Sequence, residues 1–336
     1  MPPLVVEGRR SGFGRPLAGN ARVTGLGPRK PAYAGGTRAR ALAFGLALAL
    51  LLGGAARTAA SEPVNVPWET LLPALPGDAK LQPHGVPFCR RVRVRCIDVE
   101  ITRMRRLQRR LGCDHRAVFT TTYLELTRTA REFLRRDPHF MRYPTYLYVE
   151  DALFADVYFN TVQASAAGRP VPEAWRIAFD AARSGQVNAG QDMLLGINAH
   201  VQNDMPFVLA ALGLRTRSGA SRKVDHDRFN DALNAAYERV VTSVARRYDP
   251  LLFTTNASWN PLDDIGGMEL VKGWREGVWR NAERLVNAKS ASERRQVADQ
   301  IQANAATWAR LMAAPQQPGY RATRDAYCRK QLCGGA

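Results

Sequence analysis

The chain has 336 residues, 48 Lys+Arg against 30 Asp+Glu, a formal net charge of +18 and 46% hydrophobic residues. That is enough apolar side chain for a folded core, which excludes a wholly disordered or collagen-like chain. No Gly-x-Ser-x-Gly and no glycine-rich phosphate loop occurs, so the usual signs of serine hydrolysis and of nucleotide chemistry are missing.

Residues 1–37 are rich in Gly, Pro and Arg without apolar periodicity and read as a disordered extension. So long a basic lead suggests a start codon further downstream, although the next Met is Met104. Arg9-Arg10 lies too far from the apolar run to read as a twin-arginine signal. Residues 38–60 read as a signal peptide. Arg38 and Arg40 precede sixteen residues, Ala41 to Ala56, made only of Ala, Leu, Gly and Phe. That is short of the roughly 20 residues a comfortable membrane span needs. The small residues that follow offer cleavage after Ala56 or Ala60. The expectation is an exported protein: secreted, periplasmic or in the cell envelope. The alternative is a protein anchored in the membrane by its uncleaved signal. Removing residues 1–60 takes away nine basic residues and one acidic residue, leaving 39 against 29, a net +10.

Residues 61–96 form a Pro-rich arm. After Cys96 the apolar period turns helical, with Ile97, Ile101, Met104, Leu107 and Leu111 in one stripe and arginines elsewhere. Further helices are expected at 116–136, from about Tyr146 to before Gly168, and over 172–183. A central helix from about Val187 to Leu212 should bend at Pro206. Asp225 should cap a helix running to Tyr248, where Asp249-Pro250 breaks it. Pro261 to Asp264 precedes a helix to about Asn287, and Ser290 starts another ending near Ala313. The reading is all-α: a single multi-helix domain of about eight helices over 97–314, followed by a cysteine-containing tail, 315–336. Five cysteines, Cys89, Cys96, Cys113, Cys328 and Cys333, flank the long middle. Cys328 could close a small loop with Cys333, or an N-terminal cysteine could staple the C-terminal end. The sequence leaves the pairing and the oligomeric state open.

Polar groups fall on apolar helix faces at several places. In the central helix His200 and Asp204 are four apart, so they share a face and could grip one metal ion or each other. Asn198 is buried on the other side. Asp204 could also cap a helix restarting at Met205-Pro206. Glu150 and Asp151 sit on or beside the apolar arc of the third helix, where they need a cation, a metal or a shared proton. Asp156 points away, towards solvent. His226 and Asn230 fall on the stripe of the helix after Asp225, and Arg275 lies at the margin of a later one as the obvious partner for a buried Asp. Trp274 and Trp279 read as packing anchors. Between Arg90 and Arg136, fourteen Arg face five acids. Such a surface could meet anionic lipid or cell-wall polymer. The absence of a binding motif and the expected export argue against nucleic acid.

These residues resemble a family of bacterial all-helical proteins known only as a domain of unknown function. Its signature is Asn-Ala-His-x-x-x-Asp-hydrophobic-Pro, here Asn198, Ala199, His200, Asp204, Met205 and Pro206, with Met205 where the family usually has Leu. Asp151 to Phe154, Val157 to Phe159, Ala167 to Pro172 with Trp175, Arg228 to Asp231, and Arg275 with Trp279 are also similar. The resemblance covers roughly 115 to 315. It implies an all-α fold and no particular activity. A looser analogy is to helical zinc-dependent phospholipases C, which also use His-x-x-x-Asp but need many more histidines.

Three functional expectations follow. The first is a metal-dependent hydrolase of esters or phosphoesters, with His200, Asp204 and Asp151, and more weakly His226, holding one zinc-like divalent ion, and Glu150 as general base. The second is a non-catalytic envelope protein whose buried His, Asp and Arg groups fix helix register. The third is a binder of an apolar ligand, using the aromatic helix 143–159.

Overall fold

Helix α1 (Arg95–Leu111) buries Ile97, Ile101, Met104 and Leu107 and exposes Arg105, Arg106, Arg109 and Arg110, the division of faces that the spacing dictates. Helix α2 (Arg116–Arg136) has no such solvent face over its first half. Phe119, Thr120, Thr121, Thr122, Tyr123 and Leu124 are all buried. Its threonines tolerate this because their hydroxyls return to the helix's own carbonyls: Thr121 donates to Ala117 O at 2.9 Å and Thr122 to Val118 O at 3.0 Å. The coordinates are a computed structural model in which residues 94–253, 267–315 and 319–332 are described. All of these lie in one unit, Ser61–Ala336. The extension 1–37, the signal segment 38–60 and most of the arm 61–96 lie outside the described residues, as do Pro261 to Asp264.

Helix α3 (Pro144–Ala166) starts on a proline, which lacks only an N–H the first turn would not use. Helix α4 (Glu173–Ser184) stops at Gly185, whose φ of 65° is the left-handed conformation that ends helices. Helix α5 (Ala189–Ile197) opens with a capping box: the Asn188 side chain accepts from Gln191 N, and Gln191 Oε1 accepts from Asn188 N. It runs through a π-helical stretch, Asn198–Asp204, into α6 (Met205–Leu212). The expected bend at Pro206 is therefore a widening of the turn before it. Pro206 offers no N–H and its ring crowds the preceding turn, and the chain relieves this by closing the wider ring Met205 N to His200 O.

Helix α7 (Lys223–Tyr248) packs along α2 and ends at Asp249-Pro250, followed by a 3₁₀ turn, Pro250–Phe253. Its N-cap is Arg222, not Asp225. The Asp225 carboxylate instead accepts the backbone N–H groups of Arg142 and Tyr143, both at 2.7 Å, and so caps the entry to α3. Helix α8 (Gly267–Asn287) packs on α6, and α9 (Ala291–Met312) on α4. Ser290 caps α9 as expected, accepting from Glu293 N at 3.0 Å. The chain forms no strand among the described residues, only an isolated bridge between Arg215 and Ser221.

The expected tail contains a further helix, α10 (Tyr320–Leu332), packed on α7. A disulfide joins Cys113 to Cys328 across 215 positions, so of the two pairings open in the sequence it is the staple between the ends that forms. Cys96 is disulfide-bonded as well. Arg324 Nη1 donates to Val187 O at 2.7 Å, and the Tyr320 hydroxyl donates to Asp249. No helix among the described residues is long and apolar enough to cross a membrane.

Candidate functional site

The π-helical stretch lies at the centre of the bundle, touching α3, α4, α8 and α9 as well as the helices it joins. His200 Nδ1 lies 2.9 Å from Asp204 Oδ2. The carboxylate can only accept, so Nδ1 carries the proton. Asp204 Oδ2 also accepts from Trp175 Nε1 at 2.9 Å, and Oδ1 accepts from Asn203 Nδ2 at 2.7 Å. Three donors hold this carboxylate still, and it does not cap α6. His200 Nε2 is left as a buried lone pair with no partner among the described residues. Burial lowers the pKa of His200, while the bond and charge of Asp204 pull it back up. The imidazole is therefore neutral at pH 7 and basic at Nε2.

Aromatic rings fix the imidazole plane. Phe154 stacks on it at 3.5 Å with 4° between the planes, and Tyr123 meets it edge-on at 4.9 Å. Phe119, at 5.7 Å, closes another side. Gly196 makes room for that ring, because a Cβ there would lie 2.3 Å from Phe119.

A cavity of about 100 Å³ opens beside His200. Leu126, Leu147, Ile197, Met205, Phe229 and Leu233 give it apolar walls, and Glu150, Asp151 and Arg275 supply its remaining charge. Glu150 Oε2 accepts from Arg222 Nη2 at 3.0 Å, an ion pair of the kind a buried carboxylate requires. Burial raises the pKa of Glu150 and the Arg222 and Arg275 charges lower it. The Asp151 carboxyl lies beside that of Glu100, from α1. Neither oxygen of Glu100 has a donor from any other group, and burial followed by the Asp151 charge pushes its pKa well up. Burial raises Asp151 too, so both carboxyls are pushed towards their neutral forms. The Tyr123 hydroxyl is buried without a partner, and burial, then the charges of Asp151 and Glu100, hold it protonated.

Arg275 pairs with no Asp among the described residues. Its Nε donates to Asn230 Oδ1 at 2.8 Å, its Nη2 to His226 O, and its Nη1 meets the Met205 sulfur at 3.7 Å. Burial lowers its pKa to about 10, which still leaves it charged. His226 Nε2 donates to Arg275 O at 3.0 Å, and burial, then the Arg275 charge, holds its ring neutral. Asn198 faces away from the cavity. Its Nδ2 donates to Ala305 O at 2.8 Å and its Oδ1 accepts from Gln202, which in turn accepts from Asn304. Asp156, expected in solvent, pairs with Arg103 at 3.0 Å.

The residues proposed for a divalent ion do not fit one. Among the described residues no group of three or more His, Cys, Asp or Glu side chains could hold a metal. Asp204 is spent on three donors and His226 Nε2 on a carbonyl, and Asp151 faces a second buried carboxyl. The structure thus gathers His200, Asp151, Glu150 and Arg275 around one cavity, with Asp204 bonded to His200 outside its lining, and leaves His226 and Asn230 behind Arg275. Glu100, Tyr123 and Arg222 belong to the site and were not singled out from the sequence. A second buried pair, His115 Nδ1 to Asp192 Oδ2 at 2.8 Å, lies apart from the cavity lining.

An all-helical bundle with a histidine–aspartate pair in a π-helical turn defines the class of protein. The chain belongs to DUF5995, described as a family of unknown function, whose match spans residues 97–315. No curated protein and no solved structure matches the chain.

Proposed function

We propose that the cavity takes a small ester with an apolar acyl part and that His200, aligned by Asp204, is the base that activates water against it. One observation carries this reading: a neutral imidazole tied at Nδ1 to a fixed carboxylate, with an unpartnered Nε2 at the wall of an apolar cavity. Nε2 takes a proton from water as the water oxygen adds to the acyl carbon. Charge gathers on the carbonyl oxygen, and the Arg275 guanidinium at the cavity wall stabilises it. The acyl C–O bond then breaks and the leaving oxygen takes the proton from Nε2, giving an acid and an alcohol. A phosphoester, charged throughout, suits these walls less well. The test is hydrolysis of p-nitrophenyl esters by the purified protein and by His200→Ala. Loss in the variant with folding retained supports the reading, and a wild type inactive on every ester overturns it.

The full pairing of Asp204 and the chain Asn198–Gln202–Asn304 favour a second reading, a buried network that fixes helix register in a non-catalytic envelope protein. It expects His200→Ala to lose stability and no ester to be cleaved. In both readings we propose export through segment 38–60, and a Cys113–Cys328 bond suits an oxidising compartment. The exposed arginines of α1 would then meet anionic lipid or cell-wall polymer.

A further inference from the structure

We propose that the ligand of the His200 cavity is a single-chain amphiphile, a straight-chain carboxylic acid or its ester, whose chain continues into a second cavity. The inference rests on the reading of the His200 cavity as a ligand site and adds the substrate class. A second cavity, of about 220 Å³, lies between α2, α5, α7 and α8. Leu126, Ile197, Leu233, Met268 and Val271 line both cavities, so a single layer of side chains separates them. Leu126, Ile197 and Met268 are only half-buried although they sit in seams between helices, because part of their apolar surface faces these spaces. Leu and Met side chains reach alternative rotamers at little cost, so such a partition can open for a narrow chain.

Polarity is distributed along this path as in an amphiphile. His200, Glu150, Asp151 and Arg275 line the first cavity only. The described lining of the second contains no Asp, Glu, Lys, Arg or His. The head end offers an acceptor at His200 Nε2 and a donor at Arg275 Nη1, whose partner is a weakly accepting sulfur at 3.7 Å. A protonated carboxylic acid meets both, and an ester carbonyl meets the Arg275 donor while Nε2 is left for water. Burial pushes Glu100 and Asp151 towards their neutral forms, which limits the negative charge such a head would face. The first cavity is far smaller than the several hundred Å³ of a pocket for a compact drug-sized ligand, whereas a chain one methylene wide can use both spaces.

The experiment is calorimetric binding of hexanoate and dodecanoate to the full-length protein and to Val241→Phe and Met193→Phe, which fill the second cavity from two different helices. Dodecanoate should bind the wild type at least about tenfold tighter than hexanoate, the gain expected from burying even two further methylenes. Each variant should bring dodecanoate to the level of hexanoate and leave hexanoate unchanged. Two variants guard against one failing to fold, and the chain-length comparison in the wild type decides without either. Hexanoate binding with no gain for dodecanoate, or a gain that survives both substitutions, overturns the amphiphile and leaves the His200 site standing. If neither acid binds the wild type, the site reading falls, and the inference with it.

Discussion

His200 and Glu100 are both buried ionisable groups, and burial moves them in opposite directions. The lowered pKa of His200 means the unfolded state takes up its proton more readily than the folded one. The stability it contributes is therefore present above the unfolded value, about 6.5, and is lost as pH falls. Ester cleavage should show the same limb, falling only below the usual histidine range. Asp204→Asn would set its amide oxygen against His200 Nδ1 and Trp175 Nε1, which are both donors, so the tautomer stays and the charge behind the imidazolium is lost, lowering kcat/KM by about 10²-fold with little change in KM. Rescue of activity at high pH would contradict that role. Glu100 has a raised pKa, so its stabilising share is complete below the unfolded value of about 4.3 and is lost as pH rises through the folded one. Glu100→Gln copies the protonated form. Its denaturation midpoint should match wild type in acid and exceed it at neutral pH, and an equal offset at both would show that burial does not raise the Glu100 pKa. Glu100 was also legible in part. It lies three residues after Ile97 and four before Met104, on the buried stripe of α1, where a carboxylate has no business without a partner. That partner, Asp151, lies 51 positions away, and helical periodicity says nothing of which faces meet.

At the level of elements, helix starts and stops were readable wherever the chemistry is local. Arg116 to Arg136, the break at Asp249-Pro250 and the Ser290 cap all stand as expected. What periodicity could not supply was tertiary. Asp225 caps a neighbour's entry, Arg275 bonds an amide and a carbonyl, and the π-helical turn replaces a bend. Helix α10 escaped notice because its sparse apolar residues bury only through the staple and the contacts with α7. Close approach gives a sharp test. Gly196→Ala would drive a methyl into Phe119, tilt that ring away from His200 and destabilise the fold by about 1–3 kcal/mol. Urea denaturation, read beside the near-UV signal of the aromatic cluster, checks it. Cys328→Ser should cost about 2–4 kcal/mol, since the loop it opens spans 215 positions. No change in urea midpoint would mean that α10 holds without its bond.

Across the whole molecule, much of the arginine excess of the first helices is already paired. Arg103 bonds Asp156, Arg116 bonds Asp114, Arg128 bonds Glu125, and Arg131 and Arg135 share Asp98. Partly exposed pairs of this kind contribute at most about 1 kcal/mol each, so they orient α1 on its neighbours more than they hold it. The exposed row Arg105, Arg106, Arg109 and Arg110 is the part of that charge facing outward. The double variant Arg105→Glu, Arg109→Glu should abolish binding to anionic vesicles and leave the melting temperature unchanged. Wild-type binding should weaken steeply with salt, and salt-independent binding would rule out this surface.

The π-helical turn also makes the catalytic question separable from the folding question. Such a turn contains one residue more than the α-helical turn it replaces. Deleting Gln202 together with Pro206→Ala, which restores the missing N–H, would let α5 run into α6 as an ordinary helix with the outer packing of both retained. His200 and the aspartate would then stand three apart, while Trp175 still holds the carboxylate from α4. The expected product is a folded, helical protein with a misaligned imidazole.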